Sequence, residues 1–448
     1  MRTSFIAYYL FLCIAAGLLS VGSNAAPVSA QDRAGDNASQ QVDNSLEESN
    51  AVTIKRLEKE MVELKKILQS NTKKQQRLKT SIDSLQERIS IQGFASAGLS
   101  QTNRDLDYQG ASNDLTTLAR GRMGLQFNFM LAAKTEAVIQ LEAAAANDDW
   151  SLETSWAYVQ HTISTRYQIS VGRMRAPAFS QSQVLNVGYA YPWVRPPREA
   201  YTLPFNDLDG IIWTIRQPIG SNGWSAQTRF LYGTNEYGDE AKGLTNNDMR
   251  GITVELSNSV WTFRSCYGME EVILRFKELG FDNQITLGKF FDAALTYENG
   301  KLLVINEYTL ADTRKTLLGK SAGYFTTVGY RFGQWLPYFT VAQVKTLDDD
   351  ERLTYTDAEA LTAALQGDIS LYKANSIANV VNKRQTSYSL GLRYDLQSQT
   401  AIKLQIDYGT AFNGTNGFIS APKDALGRLG VHDYDSVTLV NLVIDTVF

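Results

Sequence analysis

Arginine is the residue type in this chain best suited to recognition chemistry, and much of it is grouped. Arg120 and Arg122 lie close together, as do Arg173 and Arg175; Arg195 and Arg198 follow, with Glu199 directly after them and Asp207 further on. Residues in i, i+2 relation on an extended chain project from one face. A guanidinium presents a planar fork of donors that matches a carboxylate or a phosphate. Arg216, Arg229, Arg264, Arg393 and Lys403 occupy the same polar side of alternating segments as Arg120 and Arg122, with Glu136, Glu142, Glu255 and Asp407 among them. The chemistry this allows is reversible capture of small anions. A balanced electrostatic lining with no substrate fits the same residues equally well.

Bond-breaking chemistry has little to work with. The chain holds 2 His, His161 and His432, and no GxSxG elbow accompanies them. Hydrolysis needs a nucleophile with a base beside it. Paired carboxylates could serve a glycosidase, but any water-filled polar interior contains such pairs, so no catalysis is expected. Metal ligands are equally sparse. There are 2 Cys, in no CxxC pair: Cys13 sits in an apolar N-terminal run and Cys266 is left without an intrachain partner. No metal, cofactor or disulfide is expected. The run Asp348-Asp349-Asp350-Glu351, ahead of a candidate short helix at Ala358–Leu365, reads more readily as a solvated loop tip than as a divalent-cation site. A formal net charge of -4 argues against a nucleic-acid partner.

The arginines need elements to position them. Residues 1–30 read as a secretory signal: Arg2, the apolar stretch Phe5–Val21, and small residues before cleavage after Ala30 or Ala25. Residues 31–50, rich in Gln, Asp, Asn and Ser, read as a disordered spacer. In 51–89 apolar residues recur at alternating spacings of three and four, with Ile54, Met61, Leu68, Gln75, Ile82 and Ile89 at a and Leu57, Leu64, Asn71, Leu78 and Leu85 at d. That is the pattern of a coiled coil, and its seam requires self-association. Asn71 and Gln75 form a polar layer that selects register; the number of strands in the coil stays open.

From residue 90 to 448 the period changes to two. Met123, Leu125, Phe127 and Phe129 share one face and Arg122, Gln126 and Asn128 the other; Ile402, Leu404, Ile406 and Tyr408 oppose Lys403, Gln405 and Asp407. A soluble sandwich alternates in the same way, so the connections discriminate. Short turns near 131–133, 163–165, 218–222, 257–259, 298–300, 333–334 and 397–399 alternate with longer loops near 102–116, 147–150, 176–207, 234–247, 270–284, 311–321, 347–384 and 411–434. Outer-membrane barrels have short periplasmic turns and longer extracellular loops. The expected fold is an all-β transmembrane barrel of about sixteen antiparallel strands, preceded by the α-helical coiled coil. Both ends of the barrel then lie on the periplasmic side. The 22 Tyr, 19 Phe and 7 Trp suit aromatic girdles at the two membrane interfaces.

The last residue is Phe448, after Val440, Leu442 and Ile444 at even spacing. This ending resembles the assembly signal of outer-membrane barrel proteins and implies recognition by barrel-assembly machinery; Thr446 departs from it, since a larger apolar residue is commoner there. Gly172-Arg173 before the long third loop, and Trp335-Leu336-Pro337-Tyr338 opening a late strand, resemble the general trimeric porins of Gram-negative bacteria. The heptad segment ahead of the barrel resembles their DcaP-like subgroup. The resemblance implies a homotrimer in outer-membrane lipid, one pore per chain, passing small hydrophilic solutes. The subgroup's dicarboxylate preference gives one candidate solute class. It also implies that the third loop, about 176–207, folds inward as a constriction. Five of the chain's 9 Pro, Pro177, Pro192, Pro196, Pro197 and Pro204, would stiffen it. Arg173, Arg175, Arg195, Arg198, Glu199 and Asp207 are then the expected selectivity residues, together with the inward strand positions. Two other readings of the chain are an outer-membrane barrel hydrolase and an adhesin or structural tether.

Overall fold

The structure is a computed structural model. It describes residues 39–448 except 87, 118–120, 147–148, 239–241, 277–282, 315, 317, 349–380 and 423–428. The chain divides into two compact units between Ser81 and Ile82.

The first unit is dominated by one helix, α1 (Ser39–Gln86). It begins inside the stretch read as a disordered spacer, which corrects that boundary. Gln, Glu, Ser and Asn cost only a few tenths of a kcal/mol each in a helix, and a helix once nucleated propagates through such residues. At the other end the coil boundary moves as well: Ile89, assigned to an a position, is the first residue of a strand and pairs with Phe129. Ile89 and Ile91 satisfy a period of two as readily as Ile89 and Leu85 satisfy the heptad. Along α1 the a and d residues Ile54, Leu57, Met61, Leu64, Leu68 and Leu78 are all exposed, by 52 to 69%. No helix among the described residues is long and apolar enough to cross a membrane.

The second unit is a closed antiparallel barrel of sixteen strands, each hydrogen-bonded to its neighbours in sequence, with first and last joined. They are β1 (Ile89–Thr102), β2 (Arg122–Ala132), β3 (Thr135–Ala146), β4 (Asp149–Thr162), β5 (Tyr167–Arg175), β6 (Asp207–Ile219), β7 (Trp224–Gly238) and β8 (Lys242–Ser257). The second half comprises β9 (Trp261–Phe276), β10 (Gln284–Glu298), β11 (Leu302–Thr313), β12 (Gly319–Tyr330), β13 (Trp335–Thr346), β14 (Arg384–Gln397), β15 (Thr400–Thr410) and β16 (Ser436–Val447). β1 and β16 close the barrel from Phe94↔Val447 to Thr102↔Leu439. Closure leaves no open edge, so every strand's backbone groups find partners on both sides.

All seven short turns fall where the sequence places them. The loop read at 234–247 shortens, because β7 continues to Gly238 and β8 starts at Lys242. The loop read at 270–284 shortens too, since β9 runs to Phe276. The acidic run beyond Asp348 and the candidate helix at 358–365 lie outside the described residues. Asp348 accepts the Lys320 N–H at 2.7 Å.

Alternation sorts side chains to the two faces. On β15, Lys403, Gln405 and Asp407 are buried, whereas Leu404, Ile406 and Tyr408 are each more than 40% exposed and point outward. The outward face is not uniform around the barrel. β9 to β13 put Trp261, Phe263, Tyr267, Tyr308, Tyr324 and Trp335 outward, all exposed. β1 and β3 place Gly93, Ala95, Ala97, Ala137 and Ala143 there instead. Most of the buried core lies inside the barrel, because the segment 176–206 folds inward and packs on the inner wall.

Candidate functional site

Segment 176–206 contains two short 3-10 turns, Ser182–Val184 and Gly188–Ala190. Its aromatic residues seal it to the wall. Tyr191, Trp193 and Ala200 pack on Leu303, Ile305, Phe325, Leu336 and Tyr338, and Trp193 is only 1% exposed. The Trp193 indole N–H is shared between Thr327 Oγ1 at 2.9 Å and Thr340 Oγ1 at 3.1 Å. Phe205 and Ala176 close the base against Leu208, Ile212, Leu244 and Val272. At Gly188 a Cβ would run into the Asp445 carboxylate, so only glycine permits this approach to β16.

The polar anchors are charged groups of the wall that bond to loop backbone. Lys403 Nζ donates to Gly188 O and to Trp193 O at 2.8 Å, and pairs with Asp445 at 3.0 Å. The Arg393 guanidinium donates to Tyr189 O at 2.8 Å and to Tyr191 O at 3.0 Å. Arg264 donates to Pro177 O and Ala178 O and pairs with buried Asp292. Glu307 accepts the Ser180 N–H at 2.7 Å and the Tyr201 hydroxyl at 2.8 Å. Each anchor satisfies backbone groups that an inward-folded loop would otherwise bury unpaired.

These contacts correct four expectations. Arg264, Arg393 and Lys403 were expected to line an open interior, but they are 7, 8 and 0% exposed beneath the loop and hold it. Glu199 is 3% exposed and accepts from Ser387 Oγ and Gln385 Nε2 instead of facing open space. Alternation assigned the strand positions inward correctly, but it could not show that a loop covers them. Arg173 is a fifth correction. It shares its register row with Asp209 and its face with Val171 and Ile211, so it points outward, and it grips Asp209 through two bonds of 2.8 and 2.6 Å. Arg175, 6% exposed, sits 3.8 Å from Asp207 at the root of the loop. Arg216 and Arg229 bond to Gln168 and Gln227 at 2.8 and 2.9 Å. Arg120 lies outside the described residues.

A cavity of about 840 Å³ lies between the loop and the wall formed by β16, β1, β2 and β3. Arg122, Arg195 and Arg198 line it, opposed by Asp107 and Asp445. The acidic groups are engaged: Asp445 pairs with Lys403, and Asp107 accepts the Gly110 N–H and the Ser420 hydroxyl. Arg122 pairs with Glu142 at 3.1 Å yet keeps 30% of its side chain exposed. Arg198 stacks over the Phe418 ring at 4.9 Å. Burial first, then the nearby Glu199 and Asp407 carboxylates, push the Tyr108 phenol well up, so it serves as a neutral hydroxyl under the cavity rim. Asp445, Asn186 and Tyr108 were not singled out from sequence. Asp445 was accessible there, since it shares its parity with Asn441 in an otherwise apolar final strand. Asn186 and Tyr108 sit in loops without periodicity and gave no signal.

No family model matches the sequence, and no curated protein matches it. Solved structures do match in fold. The chain is similar to the anion-selective porin from Comamonas acidovorans, at 12% identity and a TM-score of 0.51, over 80% of this chain and 99% of that one. It is also similar to the outer membrane channel DcaP of Acinetobacter baumannii, at 11% identity and a TM-score of 0.50, over 80% of this chain and 97% of that one. Identities this low establish a common barrel architecture.

Proposed function

We propose that this chain is an outer-membrane porin, a water-filled channel for passive diffusion of small hydrophilic solutes with a preference for anions such as carboxylates. The carrying observation is the cavity beside the infolded loop, where Arg122, Arg195 and Arg198 face Asp107 and Asp445, and Asp445 is already paired with Lys403. Charged rings at a narrow point set ion selectivity, and guanidinium groups suit carboxylates. The fold likeness to two outer-membrane channels supports the same reading, as does the apolar, aromatic-rich outward face.

The channel works as a homo-oligomer, most simply a trimer. Two features support this. The apolar stripe of α1 is uncovered in one chain and needs copies of itself. The outward face of β1 and β3 carries small residues that let another barrel approach closely, where β9 to β13 carry the aromatics that suit a lipid interface. α1 is then periplasmic, residues 1–30 are the export signal, and Phe448 is read by the assembly machinery.

Reversal potentials of the purified protein in planar bilayers under a salt gradient test the reading, with liposome swelling by graded sugars and dicarboxylates alongside. The expected sign is anion-selective, with faster swelling for dicarboxylates than for sugars of equal size. A cation-selective potential overturns the anion preference, absence of any conductance overturns the channel, and a monomeric mass in mild detergent overturns the oligomer.

A further inference from the structure

Gln385 lies on the inner face of β14 and is 1% exposed, so no solute in the cavity can touch it. Its amide joins three separate outer loops. Nε2 donates to Tyr108 OH at 2.8 Å, in the connection after β1, and to Glu199 Oε1 at 3.0 Å, in the infolded segment. Oε1 accepts the backbone N–H of Phe418 at 3.0 Å, in the connection after β15. Ser387 Oγ, at 2.8 Å, completes the set on the wall itself. Three acceptors share two amide hydrogens, and both sides of the amide are used.

Two of these bonds converge on one cavity-lining charge. Arg198 is the residue before Glu199, and its guanidinium lies over the Phe418 ring at 4.9 Å. Lys383 approaches the same ring at 5.8 Å. One side of Gln385 therefore fixes the backbone next to Arg198, and the other fixes the ring on which its guanidinium rests. A cation held over an aromatic face gives up some of its side-chain freedom. Without the ring, a side chain as long as arginine would spread its charge over many rotamers.

We infer that Gln385 is the positioning residue that sets where the Arg198 charge stands in the cavity, so that the last outer loop and the infolded segment determine selectivity jointly. This rests on the channel reading, in which Arg198 faces the permeating solute.

The test is a cycle of Arg198→Gln, Gln385→Met and the double variant, read as bilayer reversal potential in a salt gradient. Methionine keeps the volume and removes both ends of the amide. Arg198→Gln is expected to lower anion preference. Gln385→Met is expected to produce most of the same shift, and the double variant to match Arg198→Gln alone. A purely structural role would reduce stability and leave the potential unmoved. If Arg198→Gln shifts the potential and Gln385→Met does not, the inference falls and the channel reading stands. If Arg198→Gln causes no shift, Arg198 does not set selectivity and the inference falls, while the channel reading is decided separately by conductance. Should Gln385→Met fail to assemble, Phe418→Leu replaces it: the backbone N–H to Gln385 remains and only the ring is lost. The same shift supports the inference, and an unchanged potential overturns it.

Discussion

On β14 and β15, Arg393 and Lys403 are buried and donate to four carbonyls of the infolded segment. On β2, Arg122 has the same inward parity but keeps 30% of its side chain exposed beside a cavity. The residue types are nearly the same, and only the path of 176–206 separates them. Where the loop lies on the wall, a cation becomes an anchor for backbone carbonyls. Where the loop stands off the wall, it becomes part of an open cavity surface. A count of inward arginines therefore overstates the charge exposed inside the barrel.

Removing an anchor should have the largest effect. Lys403→Met leaves the Asp445 carboxylate, 1% exposed, with Ser96 Oγ at 2.6 Å as its remaining partner, and strips donors from Gly188 O and Trp193 O. Breaking one half of a buried ion pair costs about 3–5 kcal/mol. The expected result is a lower urea midpoint and a higher single-channel conductance as the 3-10 turn at Gly188 leaves the wall. Lys403→Met with Asp445→Leu should recover most of the stability and none of the loop's position. Unchanged conductance in both variants would mean that Trp193 and its neighbours hold the loop without help.

Arg122→Gln probes the opposite wall. Glu142 is 2% exposed, but it still accepts from Asn186 at 2.7 Å and Ser155 at 3.1 Å, so the loss should stay below the roughly 3–5 kcal/mol of breaking a buried pair. Stability should fall by less than in Lys403→Met while the reversal potential moves toward cations. A large fall in the urea midpoint with no change in potential would show that Arg122 is another anchor and would erase the contrast between the walls.

Much of the barrel was legible because two-residue alternation and turn chemistry are local. Met123 to Phe129 and Ile402 to Tyr408 fixed their faces correctly without any knowledge of neighbours. Legibility failed where strands run past the apolar belt. In β7 and β8 beyond Gly233 the sequence Thr-Asn-Glu-Tyr-Gly and Lys-Gly-Leu-Thr-Asn-Asn reads as loop, because its buried Leu244 stands among Thr, Asn and Gly and makes no apolar alternation. The infolded segment was recognisable from length, proline and resemblance. Its partners were not, since Lys403 buried under a loop and Lys403 facing water leave the same trace in sequence. Arg173 went wrong for a different reason: it shares its parity with outward Val171, and it was assigned to the constriction from its place before the loop instead of from that alternation.

The rim above the open wall should give the smallest effect. His432 Nδ1 accepts the Tyr434 N–H at 3.1 Å, and the Tyr434 ring carries Arg104 at 5.1 Å, which links the last outer loop to the first. Burial holds the His432 imidazole below its ordinary pKa, outweighing its hydrogen bond to Asn416 and the charge of Asp433. A depressed pKa in the folded loop means that the neutral ring's contribution is complete above the usual histidine range and is lost as pH falls through the lowered value. Protonation puts a donor where Tyr434 N–H needs an acceptor. Amide protection at 430–436, corrected for the pH dependence of intrinsic exchange, should therefore fall on acidification below the ordinary histidine range, while protection in the segment anchored by Lys403 and Arg393 stays constant. His432→Leu should exchange quickly at every pH. Acid-induced loosening that reached 188–194 would show that rim and anchor are a single cooperative unit, and the difference between the two walls would then be one of exposure alone.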